Sequence, residues 1–207
     1  MSVPAPITYP ARPIKGGRLE LAPPKRGPWY AEPKLNGWRT LIHTPSGTMW
    51  NRHGALLTIV DCFRPALATL AKLAGRGLVW ADCEALERRH NLGRGTLVVL
   101  DVIPESGTPI YTARRAMLES LLSCDSVFDG DASRSVPCGT IVLTPARRAD
   151  SHAGALAYYQ RLRAANRALG CDFFEGVVMK RADSPYPVQL RSVTEEFRAW
   201  VKHRFLA

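Results

Sequence analysis

Short runs in which apolar and polar positions alternate open the ordered part of the chain, and they predict strands over residues 29–33, 39–44 and 48–52, with Ser46-Gly47 as a hairpin turn. Asp61 then caps a helix in which Phe63, Leu67, Leu70 and Ala74 recur at helical spacing, so that one face is buried. Residues 78–86 and 96–103 are nearly continuous in Val, Leu and Trp, the pattern of strands covered on both faces, yet each run carries acids at its end. Helical periodicity returns over 112–122, and again over 151–169 with Leu156, Tyr159, Leu162 and Leu169 on one side. The intervening stretch, 125–148, is rich in turn residues around a short strand at 140–144, and two further strands fit 173–180 and 197–204. Residues 1–28, rich in Pro, Gly and basic side chains, read as an arm or loop that packs only where Leu19 and Leu21 find apolar surface. One domain over 29–207 follows, with no internal repeat. Its class is α/β, a mixed, mostly antiparallel sheet system with helices on the outer faces.

Composition narrows the setting. The 207 residues hold 28 Lys plus Arg against 18 Asp plus Glu, a net charge of +10, and 46% are hydrophobic. That apolar share excludes a disordered basic tail, and no run approaches the roughly 18 apolar residues of a membrane span. The first ten residues lack a cationic start and an apolar core, so no signal peptide is expected and the protein is placed in the cytoplasm as a monomer, away from membranes. The positive charge suits a nucleic-acid partner, since cations that meet phosphates release counterions; a merely solvated surface is the bland alternative. Five scattered cysteines without a C-x-x-C pair read as reduced fillers, and the five histidines show no metal-ligand spacing.

Chemistry concentrates in Glu32-Pro33-Lys34-Leu35-Asn36-Gly37-Trp38-Arg39, a lysine on a tight turn between two strands with a glycine three residues on. A lysine so displayed serves as a nucleophile if neighbouring cations help it shed a proton that it otherwise holds up to about pH 10.4. Alone, a K-x-x-G is a surface turn. Further segments follow in order: Asn51-Arg52-His53-Gly54, Asp82-Cys83-Glu84, Asp101, Glu175-Gly176-Val177-Val178-Met179-Lys180 and Trp200-Val201-Lys202-His203-Arg204.

This ordered series, from about Trp29 to Arg204, resembles the motifs of the covalent nucleotidyltransferases, and most closely the adenylation domain of bacterial ATP-dependent DNA ligases. The resemblance implies an ATP-grasp-like fold in which two sheets enclose a nucleotide cleft. It implies a DNA ligase that joins 5′-phosphate and 3′-hydroxyl ends, with ATP and Mg²⁺ as cofactors and broken or nicked DNA as partner. Lys34 would form a lysyl-AMP and Glu32 would recognise adenine, while Arg39 and Arg52 would hold the ribose and the nucleic-acid 5′-phosphate. Glu84 and Glu175 would contact the ribose and support the metal. Lys180, Lys202 and Arg204 would stand near the α-phosphate, neutralising it and easing deprotonation of Lys34. Leu100 occupies the place of an aromatic residue that stacks on the base. Asn36 replaces the usual aspartate, which brings RNA ligation or 5′-end adenylylation into view, and a non-catalytic binder of nucleic-acid ends is the rival from another class. Relatives continue into an OB-fold domain; with five residues after Lys202, none is expected here, and a separate clamp partner would take its place.

Overall fold

The computed structural model describes residues 11–21, 27–51, 53–58, 60–87, 89, 91–187 and 196–205. Among the described residues, ten strands form two five-stranded sheets. The first has the order β1-β10-β9-β2-β8, with β1 (Arg12–Lys15), β2 (Trp29–Leu35), β8 (Arg147–Ala149), β9 (Phe174–Arg181) and β10 (Glu196–Arg204). The second has the order β4-β3-β5-β6-β7, with β3 (Trp38–His43), β4 (Thr48–Asn51), β5 (Trp80–Leu86), β6 (Thr96–Val102) and β7 (Ile141–Leu143). Pairing is antiparallel except between β1 and β10 and between β6 and β7. The mixed, mostly antiparallel α/β architecture expected from the sequence is therefore present.

Helices α1 (Arg64–Ala71) and α2 (Tyr111–Leu121) cover the second sheet, and α3 (His152–Leu169) covers the first. The reason is legible in β5, where Ala81, Cys83 and Ala85 join the core beneath α1 and α2. Asp82 and Glu84, one residue out of phase, therefore point the other way. Leu67, Leu70 and Leu118 fill the helical side of that core, while Tyr159 and Leu162 of α3 pack with Val177 and Met179 of β9. Each such side chain removed from water contributes about 1.5–3 kcal/mol. A third, smaller cluster joins Leu41, Trp50 and Trp80 of the second sheet to Trp200 of the first and to Tyr186. No helix among the described residues is long and apolar enough to cross a membrane.

Several local expectations change. The segment read as an arm contains β1, whose ends are fixed by Ala11 N–H donating to the Pro187 carbonyl (2.7 Å) and Gly16 N–H donating to that of Lys202 (3.0 Å). Leu19 is fully buried, whereas Leu21 is exposed. Residues 1–10 and 22–26 of that segment lie outside the described residues. Asp61 opens a short 3₁₀ turn, Asp61–Phe63, and caps nothing; its carboxylate instead pairs with Arg64. α1 begins at Arg64 with Pro65 in its first turn and ends at Ala71, before Ala74. β8 was not expected at all. α3 matches the helix expected over 151–169 closely: the Ser151 hydroxyl accepts from Gly154 N–H (3.1 Å) at its start, and Gly170, with φ 68°, closes it. None of the five cysteines forms a disulfide, but only Cys83 is fully buried, and Cys124 and Cys138 are exposed.

Candidate active site

The turn after Lys34 does not close a hairpin. β2 belongs to the first sheet and β3 to the second, so residues 36 and 37 carry the chain from one sheet to the other. Lys34 thus sits where the two sheets diverge, at the floor of the cleft between them. Asn36 anchors the crossing: its backbone N–H donates to the Phe173 carbonyl (3.0 Å) and its side-chain amide to that of Asp172 (2.9 Å). Gly37 N–H donates to Glu84 Oε1 (2.9 Å), and a Cβ at position 37 would lie 2.8 Å from the Ala85 carbonyl oxygen and from Glu84 Cγ. The glycine of K-x-x-G is required by that close approach to β5.

Across the first sheet, Lys34 is the register partner of Gly176, and Gly176 that of Arg204. Gly176 has φ 142°, and a Cβ there would lie 1.9 Å from the His203 carbonyl oxygen, so β9 and β10 can meet at this point only over a glycine. Glu175 is flanked by both cations: its Oε2 pairs with Lys34 Nζ in direct contact and with Arg204 Nη2 at 3.1 Å. Glu84 faces this group from β5. Burial pushes its pKa up to about 7, aided by Glu175 and opposed by Lys34, Arg39 and the Gly37 N–H. Lys202 lies one row away, and its pKa is lowered by burial first and then by the positive charges of Arg204, Lys34 and Lys15.

At the other end of the cleft the side chains lock one another in place. Glu32, 2% exposed, accepts from Tyr111 Oη at Oε1 (2.7 Å) and pairs with Lys180 Nζ at Oε2 (2.9 Å). Lys180 also donates to the Leu100 carbonyl (3.0 Å) and to Asp101 Oδ2 (3.4 Å), and lies 4.3 Å from the centre of the Trp200 ring. Asp101 is bound in turn by Arg114, Nε to Oδ1 at 2.8 Å. Burial alone would raise the Asp101 pKa, but Lys180 and Arg114 outweigh it and hold the carboxyl below its usual value. Arg39 grips Asp82 with two bonds (2.9 and 2.6 Å), and Asp82 also accepts from Tyr186 Oη (2.9 Å).

Glu32, Lys34, Arg39, Glu84, Leu100, Glu175, Lys180, Lys202 and Arg204 all line one cleft of about 460 Å³; Asn36, Asp82 and Asp101 do not reach its lining, and Arg52 lies outside the described residues. The volume is in the range of small-molecule sites. Lys34, Glu84, Glu175, Lys202 and Arg204 gather at one end; Glu32, Leu100 and Lys180 gather at the other. Lys180, expected beside the α-phosphate, is the register partner of Tyr30, four residues along β2 from Lys34, and its ammonium is spent on Glu32 and Asp101. Sequence reasoning missed Tyr111, which carries no signal at the start of an unremarkable helix, and Arg12, which lines the cleft from β1.

No protein-family model matches the chain, and no curated protein matches it in sequence. Solved structures do. Chlorella virus DNA ligase-adenylate superposes with a TM-score of 0.60 at 16% identity, covering 96% of this chain and 69% of that one. Mycobacterial DNA ligase D complexed with ATP and MES gives 0.59 at 18%, covering 95% and 60%. An archaeal ATP-dependent RNA ligase gives 0.56 at 18%, covering 94% and 48%. The chain therefore spans from about half to about two thirds of the length of these ligases. The likeness is one of fold over nearly the whole chain: its two sheets and flanking helices are those of the nucleotidyltransferase domains of ATP-dependent DNA ligases.

Proposed function

We propose that this chain is an ATP-dependent DNA ligase module that works through AMP held covalently on Lys34. The observation that carries the reading is the meeting of Lys34, Glu175, Glu84, Lys202 and Arg204 at the junction of the two sheets. A reactive amine, two carboxylates and two further cations in one cleft are what nucleotidyl transfer needs, because its transition state calls for placed positive charge and in-line geometry. Lys34 Nζ attacks the α-phosphorus of ATP, a phosphorus–nitrogen bond forms, and the bond to the pyrophosphate oxygen breaks. AMP then passes to a DNA 5′-phosphate, and attack by the neighbouring 3′-hydroxyl seals the strand and releases AMP.

Lys34 cannot attack while it is the ammonium partner of Glu175, so Glu175 must release it first. Arg204 shares the same carboxylate oxygen and can keep Glu175 in place as Lys34 leaves. Lys202, without an ion-pair partner among the described residues, is free to meet the α-phosphate. Glu32 would read the adenine: each of its oxygens already accepts one bond, and a carboxylate oxygen accepts a second. Leu100 would form an aliphatic wall for the base.

Mg²⁺ fits the donor set. Glu84 and Glu175 are close enough for one charge to raise the other's pKa, and among the described residues no group of three or more His, Cys, Asp or Glu converges. The protein would therefore supply one or two carboxylates and leave the remaining positions to water and phosphate oxygens, the mode this ion prefers. When bound it neutralises charge developing on the phosphates.

The net charge of +10 supports a polynucleotide partner. Asn36 favours a second reading, RNA sealing or 5′-end adenylylation. Its amide donates to the Asp172 carbonyl, a bond that an ionised aspartate cannot make. Incubation with ATP, Mg²⁺ and nicked duplexes whose 5′-phosphate strand is DNA or RNA separates the two. DNA sealing is expected; accumulation of adenylylated ends without sealing, or sealing of RNA alone, would replace the first reading by the second.

A further inference from the structure

The N-terminal strand β1 brings one cation, Arg12, to the lining of the cleft and a second, Lys15, beside Lys202, and nothing in the sequence pattern announced either. Arg12, half-buried, lines the same cavity as Lys34 and Lys202. Lys15 is the register partner of Lys202, on the same side of the parallel pair. Most other cations of the cleft are matched: Lys34 and Arg204 with Glu175, Arg39 with Asp82, Lys180 with Glu32 and Asp101. Among the described residues Arg12 and Lys15 form no ion pair, and neither does Lys202. One acid reaches this wall, Glu196, the register partner of Arg12, and it forms no ion pair with these cations among the described residues, so positive charge is in excess there and an anionic ligand relieves the repulsion.

Direction follows from the sheet. Lys34 reaches the α-phosphorus from β2, and in-line displacement sends the leaving group to the far side of that phosphorus. Away from β2 on one side the sheet continues through β9 and β10 to β1. Resting on the reading of Lys34 as the nucleophile, we infer that β1 is the pyrophosphate wall of the cleft, with Arg12 holding the β- and γ-phosphates of the incoming triphosphate and Lys15 adding positive charge beside Lys202. As the phosphorus–nitrogen bond forms, the electron pair of the breaking bond stays on the pyrophosphate oxygen, and Arg12 faces the charge that develops there. β1 is suited to the task because backbone bonds fix both of its ends. Arg12 is thus a phosphate-binding residue brought by an edge strand, and the strand's docking on β10 becomes part of the site.

The test compares ATP with AMP, which lacks both phosphates, in the full chain and in Arg12→Gln and Arg12→Lys. Arg12→Gln should weaken ATP binding about ten-fold, the scale of one charge-assisted contact, while AMP binding changes less than about two-fold. Pyrophosphate should also drive release of ATP from the adenylylated variant less effectively, and Arg12→Lys should recover most of both losses. Equal effects on ATP and AMP, or no effect on either, would overturn the role of Arg12. Failure of the unaltered chain to label Lys34 with AMP would instead remove the reading on which the inference rests, so the two failures are told apart.

Discussion

Lys34 of β2 and Glu175 of β9 meet side chain to side chain although 141 residues separate them, because Lys34 is the register partner of Gly176. The pair joins the proposed nucleophile to the carboxylate that must release it.

Glu175→Gln should therefore separate chemistry from folding. Both partners of the ion pair are partly open to solvent, so the change in stability should stay within about 1 kcal/mol. AMP transfer should fall by about 10²-fold or more, the scale seen when a charge directed at the transition state is removed. Label transfer and thermal unfolding on the same preparation check both halves.

Lys180 and Lys202 should behave in opposite ways. Lys180 is 2% exposed and bound to two acids, and its removal leaves Glu32 buried without its cation. Lys180→Met should cost about 3–5 kcal/mol, lowering Tm by roughly 10 °C. Lys202→Met should move Tm by no more than about 2 °C and still reduce AMP transfer by about 10²-fold. Calorimetry beside a labelling assay checks the contrast.

Glu84 should leave a signature in the pH dependence of the metal-free protein. Its pKa rises from 4.5 unfolded to about 7 folded, so the fold favours the neutral acid. Its contribution to stability is complete below pH 4.5, declines as pH rises between the two values, and is lost above about 7. Tm measured in chelator should accordingly fall by several degrees across this window through Glu84. Glu84→Gln, neutral throughout, should flatten that part of the profile.

The sequence carried the fold as far as local patterns reach. Residues 78–86 read as a strand covered on both faces with acids at its end, and β5 is that strand, though the facing of Asp82 and Glu84 away from Ala81 and Cys83 emerged only in the structure; the ordered charged motifs named Lys34, Glu84, Glu175 and Lys202 as one group, and all four line one cleft. What depends on distant partners was not legible. Nothing near Arg12 signals parallel pairing with β10 at the far end of the chain, and the Lys34–Gly37 turn reads the same whether its strands pair or part into two sheets. Lys180 was singled out by the motif resemblance, yet its partners Glu32 and Asp101 arrive from other strands, and Tyr111, which completes the group, from α2. Asp61 shows the limit of local signals, since a residue suited to capping spends its carboxylate on Arg64.

Covalent transfer of AMP to Lys34 tests the central claim most directly. The protein is incubated with α-labelled ATP and Mg²⁺, the label is followed after denaturation, and the modified peptide is sequenced by mass spectrometry beside a Lys34→Ala control. A single AMP on Lys34, absent from the variant, is expected. An unlabelled wild-type chain, or label that persists in Lys34→Ala, would contradict the assignment of Lys34 as the nucleophile.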